Sequence, residues 1–320
     1  MPSCPPGNDP ADPERYLAPE RRIYRSPLLA IGKFRCPLGH PAFHGGAVNN
    51  GNLVVFPRTS VIIEQTGARP LVADPNTAVL YNDRQEYRRE ANSQEGDRCE
   101  WFAFGDATVV EVMARRDPSV LERVERPFHT NHAFADRRTY LLQRQLVTYL
   151  DGTPQPDLLL VDELALRVLA KVVQRVPPEV PGRGARVARS RPRARVELAN
   201  AARRLLALQY ATPANLSTLA EQLSCSEYHL CRTFSSCFGT SLHRYRDQLR
   251  LRSALQWLTD TTAPLTAIAL ELGYSSHSHF GARFRTAFAM SPSRFRRRAS
   301  GSLVAQLRKN LIADPSSSFE

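Results

Sequence analysis

Two stretches of this chain carry the same apolar pattern about 50 residues apart: LSTLAEQLSCSEYHLCRTFSSCFGTSLHRY from Leu216, and LTAIALELGYSSHSHFGARFRTAFAMSPSRFRRR from Leu265. In the first, Leu216, Leu219, Ala220 and Leu223 recur at helical spacing, a short turn passes through Ser224 and Cys225, and Ser226 is placed to cap a second helix carrying Leu230, Phe234 and Phe238. In the second, Leu265, Ile268, Ala269 and Leu272 repeat the first face, Gly273 ends it, and Phe280, Phe284 and Phe288 take the places of Leu230, Phe234 and Phe238. Two short helices joined by a tight turn make a helix-turn-helix, and a duplicated unit is far less accidental than one. Between the units, residues 244–260 predict a longer helix with Leu251, Ala254, Leu255 and Leu258 inward, able to hold them at a fixed separation.

The second unit closes with Ile268-Ala269, Gly273-Tyr274, Ser278, Phe280, Phe284, Phe288, Ser291-Pro292 and Phe295-Arg296. With these residues, the region 193–298 resembles the DNA-binding domain of the AraC/XylS family of transcription regulators. Ala289-Met290 departs from the family, which usually has a glycine before the Ser-Pro pair, so a slightly altered last turn is expected. The resemblance implies a sequence-specific regulator that binds double-stranded promoter DNA and no cofactor, with RNA polymerase as a further partner. Two units in adjacent major grooves imply half-sites about one helical turn apart, roughly 34 Å or ~10 bp.

The groove-facing residues can be read without the family. At about 100° per residue from Leu230, the residues Phe234, Cys237 and Phe238 share the core face, and Tyr228, Cys231, Arg232 and Ser235 lie opposite. Those four are the candidates for the groove, with Arg232 suited to a bidentate contact with guanine or a clamp on phosphate. Their counterparts are Ser278, Gly281, Ala282 and Arg285, with His277 near the helix start. These side chains are smaller. The first unit is therefore expected to read bases, and the second to work more through phosphates held by Arg283, Arg285, Arg294 and Arg296. The expected core comprises Leu219, Leu223, Leu230, Phe234, Phe238, Ile268, Gly273, Phe280, Phe284, Phe288 and Pro292.

Charge supports the same region. The net charge is +12, and residues 183–309 carry +15 while residues 1–182 carry −1. Of the 43 basic residues 40 are arginine, which suits phosphate and base edges. With 320 residues the chain is long enough for two domains, each burying its own core. No secretory signal and no apolar run approaching the ~20 residues of a membrane span is visible, so a cytoplasmic protein with reduced cysteines and no membrane partner is expected.

The fold class expected is α+β, with 15–176 as a sensor or dimerisation domain. Short apolar runs over 28–112, from LLAIGKF to TVVEVM, are separated by Gly, Asn and Asp turns and predict strands. Residues 136–176 carry two helical patterns, 177–192 read as a flexible basic linker, 193–299 hold the DNA-binding domain, and 300–320 form a tail. This layout is similar to family members whose cupin-like barrel binds a small-molecule effector or mediates dimerisation. The resemblance implies a homodimer, with the helices of 136–176 either forming its surface or covering the barrel. An alternative is a metal- or redox-responsive regulator using Cys36, His40, His44 and Cys99. No catalytic motif supports an enzyme.

Overall fold

Alternation along the central strands decides how the N-terminal half is layered. β4 (Asn52–Pro57) pairs antiparallel with β9 (Asp97–Phe104), placing Val54 opposite Phe102 and Val55 opposite Trp101. Successive strand residues face opposite sides. Val54 and Phe102 accordingly join an apolar cluster shared with helices, while Val55 and Trp101 join a separate cluster against a second sheet. The computed structural model describes residues 19–176, 193–213 and 215–299. The linker expected at 177–192 and the tail at 300–320 lie outside the described residues.

The first sheet runs β1 (Glu20–Arg25), β2 (Leu29–Cys36), β9, β4, β7 (Thr77–Tyr81), β10 (His132–Phe134). The second runs β3 (Ala47–Val48), β8 (Glu86–Ala91), β5 (Val61–Gln65), β6 (Leu71–Ala73). The sheets face each other without closing into the expected barrel, because β3 and β6, at the free edges of the second sheet, are too short to carry the ladder round. A short helix, α1 (Pro41–His44), bridges β2 and β3.

One strand expectation is overturned: TVVEVM lies in a helix, α2 (Asp106–Ala114). Its buried residues, Val109 and Met113, are four apart, so helical packing overrides the β preference of its valines. The strands β1, β3 and β10 were not anticipated.

Two longer helices follow, α3 (Arg137–Gly152) and α4 (Leu158–Val173), each started by an aspartate: Asp136 accepts from Thr139 N and Asp157 from Leu160 N. Helix α4 buries a conventional stripe, but α3 also buries Thr139, Gln143, Arg144 and Gln145. The reason is its position between the first sheet and the C-terminal helices. As an interior element α3 offers no dimer surface, which corrects that expectation for it; Leu158 and Leu159 at the start of α4 stay exposed.

The C-terminal half begins with α5 (Arg193–Gln209), followed by α6 (Leu216–Gln222) and α7 (Glu227–Phe238), then α8 (Leu242–Asp260). The second unit is α9 (Leu265–Glu271) and α10 (His277–Phe288), closed by α11 (Pro292–Ala299). Ser226 and Ser276 cap α7 and α10, accepting from His229 N and His279 N. The two turns differ by one residue, Ser275. Each begins in the left-handed region, at Ser224 (φ 50°) and Gly273 (φ 75°). A side chain at Gly273 would overlap the carbonyl oxygen of Ala211, so glycine is required there on two counts.

The apolar clusters are not divided at the boundary between the β-rich and helical halves. The first unit has its own cluster around Leu230, Phe234 and Tyr245. The second unit does not. Ile268, Phe280, Phe284 and Phe288 belong to one continuous cluster with Phe102, Leu146 and Val168.

Polar contacts join the halves as well. Asp74, just after β6, accepts from Arg203 Nε of α5 at 3.1 Å and from Tyr245 Oη of α8 at 2.5 Å, and Arg203 also donates to Thr77. Arg252 of α8 donates to Asn76 and to the carbonyl of Ala135. At the far end of α8, Arg144 bridges Glu100 (2.6 Å) and Asp260 (3.3 Å), and Arg58 pairs with the same two carboxylates.

Two outcomes follow from these contacts and backbone angles. Ala289 adopts the left-handed conformation (φ 54°) at the end of α10, where the first unit has Gly239 (φ 65°). Ala289→Gly is expected to raise stability by about 1 kcal/mol in a denaturant titration, since a left-handed alanine costs ~1 to 2 kcal/mol. Burial, then the nearby Arg203, push His132 down to about 4 from the ordinary value of 6.5. The folded state thus holds His132 neutral where the unfolded chain would protonate it. Stability is full above pH 6.5 and is lost as pH falls toward 4, by roughly 3 kcal/mol. Melting curves across that range should show the slope, and His132→Gln should flatten it.

Candidate nucleic-acid interface

On α7 the exposed residues after the first turn begins are Tyr228, His229, Arg232, Ser235 and Ser236. On α10 they are Ser278, His279, Ala282, Arg285 and Thr286, each 50 positions on. Spacings of one, four, seven and eight residues draw a single stripe along each helix. The opposite faces supply Leu230 and Phe234 in the first unit, Phe280 and Phe284 in the second, all fully buried. Packing therefore fixes the rotation of each helix, and α8 spans between them.

The structure places the expected residues unequally. Tyr228 is 73% exposed, an unusual state for a tyrosine with an apolar ring, and Arg232 and Ser235 share its stripe. Cys231 does not belong there: it is half-buried against the first unit's core, which corrects its assignment to the groove. Gly281 is buried as well, but beneath the side chain of Arg285, whose Nη1 would lie 3.6 Å from an added Cβ. His277 and Ser278 are exposed at the start of α10. Arg285 and Arg294 are exposed, whereas Arg283 is held by Asp247 of α8 and Arg296 is half-buried. Leu219, Ile268, Phe288 and Pro292 are buried, and Leu223, Phe238 and Gly273 half-buried.

His229, Ser236, His279 and Thr286 were not among the expected contacts. The 50-residue repeat contains the signal that finds them, once both stripes are laid over each other. His279 is also tethered: its Nδ1 lies 3.1 Å from Ser275 Oγ and its ring stands edge-on to Tyr274 at 5.5 Å. The residue added to the second turn thus positions an exposed histidine on the stripe of α10. The stripes carry arginine and histidine and no acidic residue, a composition that fits phosphates and base edges.

Between the two sheets lies a cavity of about 330 Å3. Its wall includes Phe34, Val55, Ile63, Tyr81, Tyr87 and Trp101, together with Arg89, Asp97 and Cys99. The four residues of the metal or thiol alternative are not gathered. Cys36 and Cys99 are buried, and burial pushes both thiols up, away from the reactive thiolate. His40 Nδ1 caps α1 and His44 Nε2 lies 3.0 Å from the carbonyl oxygen of Leu38. Among the described residues no group of three or more His, Cys, Asp or Glu could hold a metal ion. No helix among them is long and apolar enough to cross a membrane.

Residues 219–298 match the family model described as a helix-turn-helix domain. The regulatory protein SoxS of Salmonella typhimurium is 35% identical over 86 residues, 27% of this chain and 80% of that protein. A helix-turn-helix-type transcriptional regulator of Haemophilus influenzae is also 35% identical over 86 residues, which are 27% of this chain but only 29% of its own length. Among solved structures, a Chromobacterium violaceum transcriptional regulator described as AraC-type is 27% identical, covering 34% of this chain and 97% of its own, with a TM-score of 0.32.

Arg232→Ala is expected to weaken binding to a cognate site by ~1 to 3 kcal/mol while leaving binding to random DNA nearly unchanged. A competition gel-shift on the full chain measures both. Equal loss on the two DNAs would make Arg232 a phosphate contact.

Proposed function

We propose, from the premise that this chain belongs to the AraC family of DNA-binding transcription regulators, that α7 and α10 read promoter DNA in adjacent major grooves under the control of a small molecule held between the sheets. The matched pair of exposed stripes, offset by 50 residues and joined by α8, is the observation that carries the reading. Tyr228, Arg232 and Ser235 supply the larger side chains and read bases in the first unit. In the second, Ser278 and Ala282 are small, and Arg285 and Arg294 contact phosphates. His229 and His279 contact the DNA at matching positions.

Effector control is supported by the strands around the cavity. Ala73, Cys99, Trp101 and Pro57 line it, and their chain neighbours Asp74, Glu100 and Arg58 grip α5, α3 and α8 from the other side. A ligand that moves these strands moves the contacts holding the linking helix. The protein acts in the cytoplasm as a homodimer, with RNA polymerase as its partner at the promoter. Exposed Leu158 and Leu159 on α4 favour a self-association surface there over one on α3.

Footprinting of the full chain on genomic DNA should give two protected half-sites about 10 bp apart. Affinity should fall steeply with salt, with a log-log slope of about −0.9 per neutralised phosphate. Equal affinity for genomic fragments and random DNA would sink the proposal.

A further inference from the structure

The cavity between the sheets is fitted for a particular chemistry. Its volume of about 330 Å3 is at the lower end of the ~300 to 1,000 Å3 typical of small-molecule sites, the size of a compact ring system. Four aromatic rings and six branched aliphatics stand in its wall beside polar and charged side chains. The Trp101 indole lies against Gly32, where any side chain would collide with it, and its Nε1–H has no acceptor among the described residues.

Charge sets the class of ligand. The cavity wall carries Arg89 and Asp97, an ion pair at 3.3 Å with both side chains almost fully buried, and Glu20 with Arg22. The four formal charges sum to zero, with Glu20 and Arg22 exposed on β1. Arg89 is already engaged: it donates to Ala42 O at 3.0 Å and Tyr87 Oη at 2.8 Å, and its guanidinium lies 4.6 Å from the centre of the Phe34 ring. A carboxylate ligand would have to displace Asp97 from it. A cationic ligand beside Asp97 would meet the Arg89 guanidinium on the same carboxylate. Either leaves a buried charge uncompensated, which is strongly unfavourable. Asp97 itself is short of what a carboxylate requires: beyond the Arg89 Nε contact at 3.3 Å no hydrogen-bond donor among the described residues reaches its side chain, and burial lifts it to about 6 against the pull of Arg89.

We propose that the cavity binds an uncharged, ring-bearing small molecule that donates a hydroxyl or N–H hydrogen bond to Asp97. The proposal rests on the reading of the cavity as an effector site, but concerns only the chemistry of what enters it.

Four compounds with one ring body test it on the full chain: indole, 1-methylindole, indole-3-acetate and tryptamine. Calorimetric melting at matched concentrations ranks them, and circular dichroism confirms that each variant is folded. Indole should stabilise the protein, with affinity about tenfold above that of 1-methylindole, which lacks the donor; the anion and the cation should give no shift. Asp97→Asn, which keeps an acceptor but removes the charge, should shrink the indole advantage severalfold, and Asp97→Leu should abolish it. Preference for the anion or the cation, equal binding of the two neutral compounds, or no shift with any of the four would overturn the proposal. Gel-shifts with and without indole separate the two claims. Indole bound with unchanged DNA affinity removes the effector reading and leaves the ligand class standing, while tight binding of the anion with altered DNA affinity does the reverse.

Discussion

Arg144, Arg203 and Arg252 are the three largest fully buried side chains among the described residues, and all three tie the sheets and their adjoining loops to α5 or α8. Burying a guanidinium is costly, so such a contact adds little net stability compared with apolar packing. Its directionality is what matters. Arg203 has Asp74, Thr77 and Tyr245 around its head group, stacked among Phe134, Phe238 and Tyr245 rings within 6 Å. A slip of α5 or α8 by one turn would leave Asp74 buried and unpaired, at a cost of ~3 to 5 kcal/mol. These arginines specify one docking arrangement where hydrophobic contact alone would tolerate several.

The same constraint makes the two helix-turn-helix units unequal. The second shares an apolar core with α3, α4 and the first sheet, so it and the sensor half form one packed body. Cut away at residue 193, α8 would expose Leu251, Leu255 and Leu258, and the second unit would lose α3 from its flank. The first unit retains its own core and meets the sheets mainly through Arg203, Tyr245 and Phe134. Polar contacts of that kind break over short distances, while a shared core yields only as a whole. The first unit is therefore the one able to shift.

Much of the DNA-binding half was legible in the sequence because its signals are local. A capping serine at 226, apolar residues at helical spacing, and a repeat of the whole pattern each bear on a few neighbouring positions. What escaped was set by contacts distant in the chain. TVVEVM reads as a strand by its valines and becomes a helix because Val109 and Met113 reach a common apolar core. Gln143 and Arg144, polar residues that local pattern gives no reason to bury, are buried because α8 and Glu100 cover them. A helical wheel placed Cys231 toward the groove, but an angle counted from one core residue cannot show how far the neighbouring helix extends, and Cys231 packs half-buried against the first unit's core.

On the proposed reading, ligand and DNA are separated by one sheet and the helices packed on it. Cys99 and Trp101 face the cavity, and Glu100 between them faces α3, holding Arg144, which in turn holds Asp260 at the end of α8. Although burial opposes it, Arg58 and Arg144 keep Asp260 down at about 2, so this bridge is fully charged at neutral pH. Asp74 follows Ala73 of the cavity wall and holds Tyr245 near the other end of the same helix. A ligand that spreads β6 from β9 thus acts on α8 at two points a long lever apart, and α8 sets the spacing of α7 and α10. Major grooves on one DNA face repeat only about every 34 Å, so a tilt of α8 that moves one stripe out of its groove costs that unit's base contacts while the other keeps its hold. Control of this kind needs no large opening between the halves, only a change in the angle that the buried arginines fix.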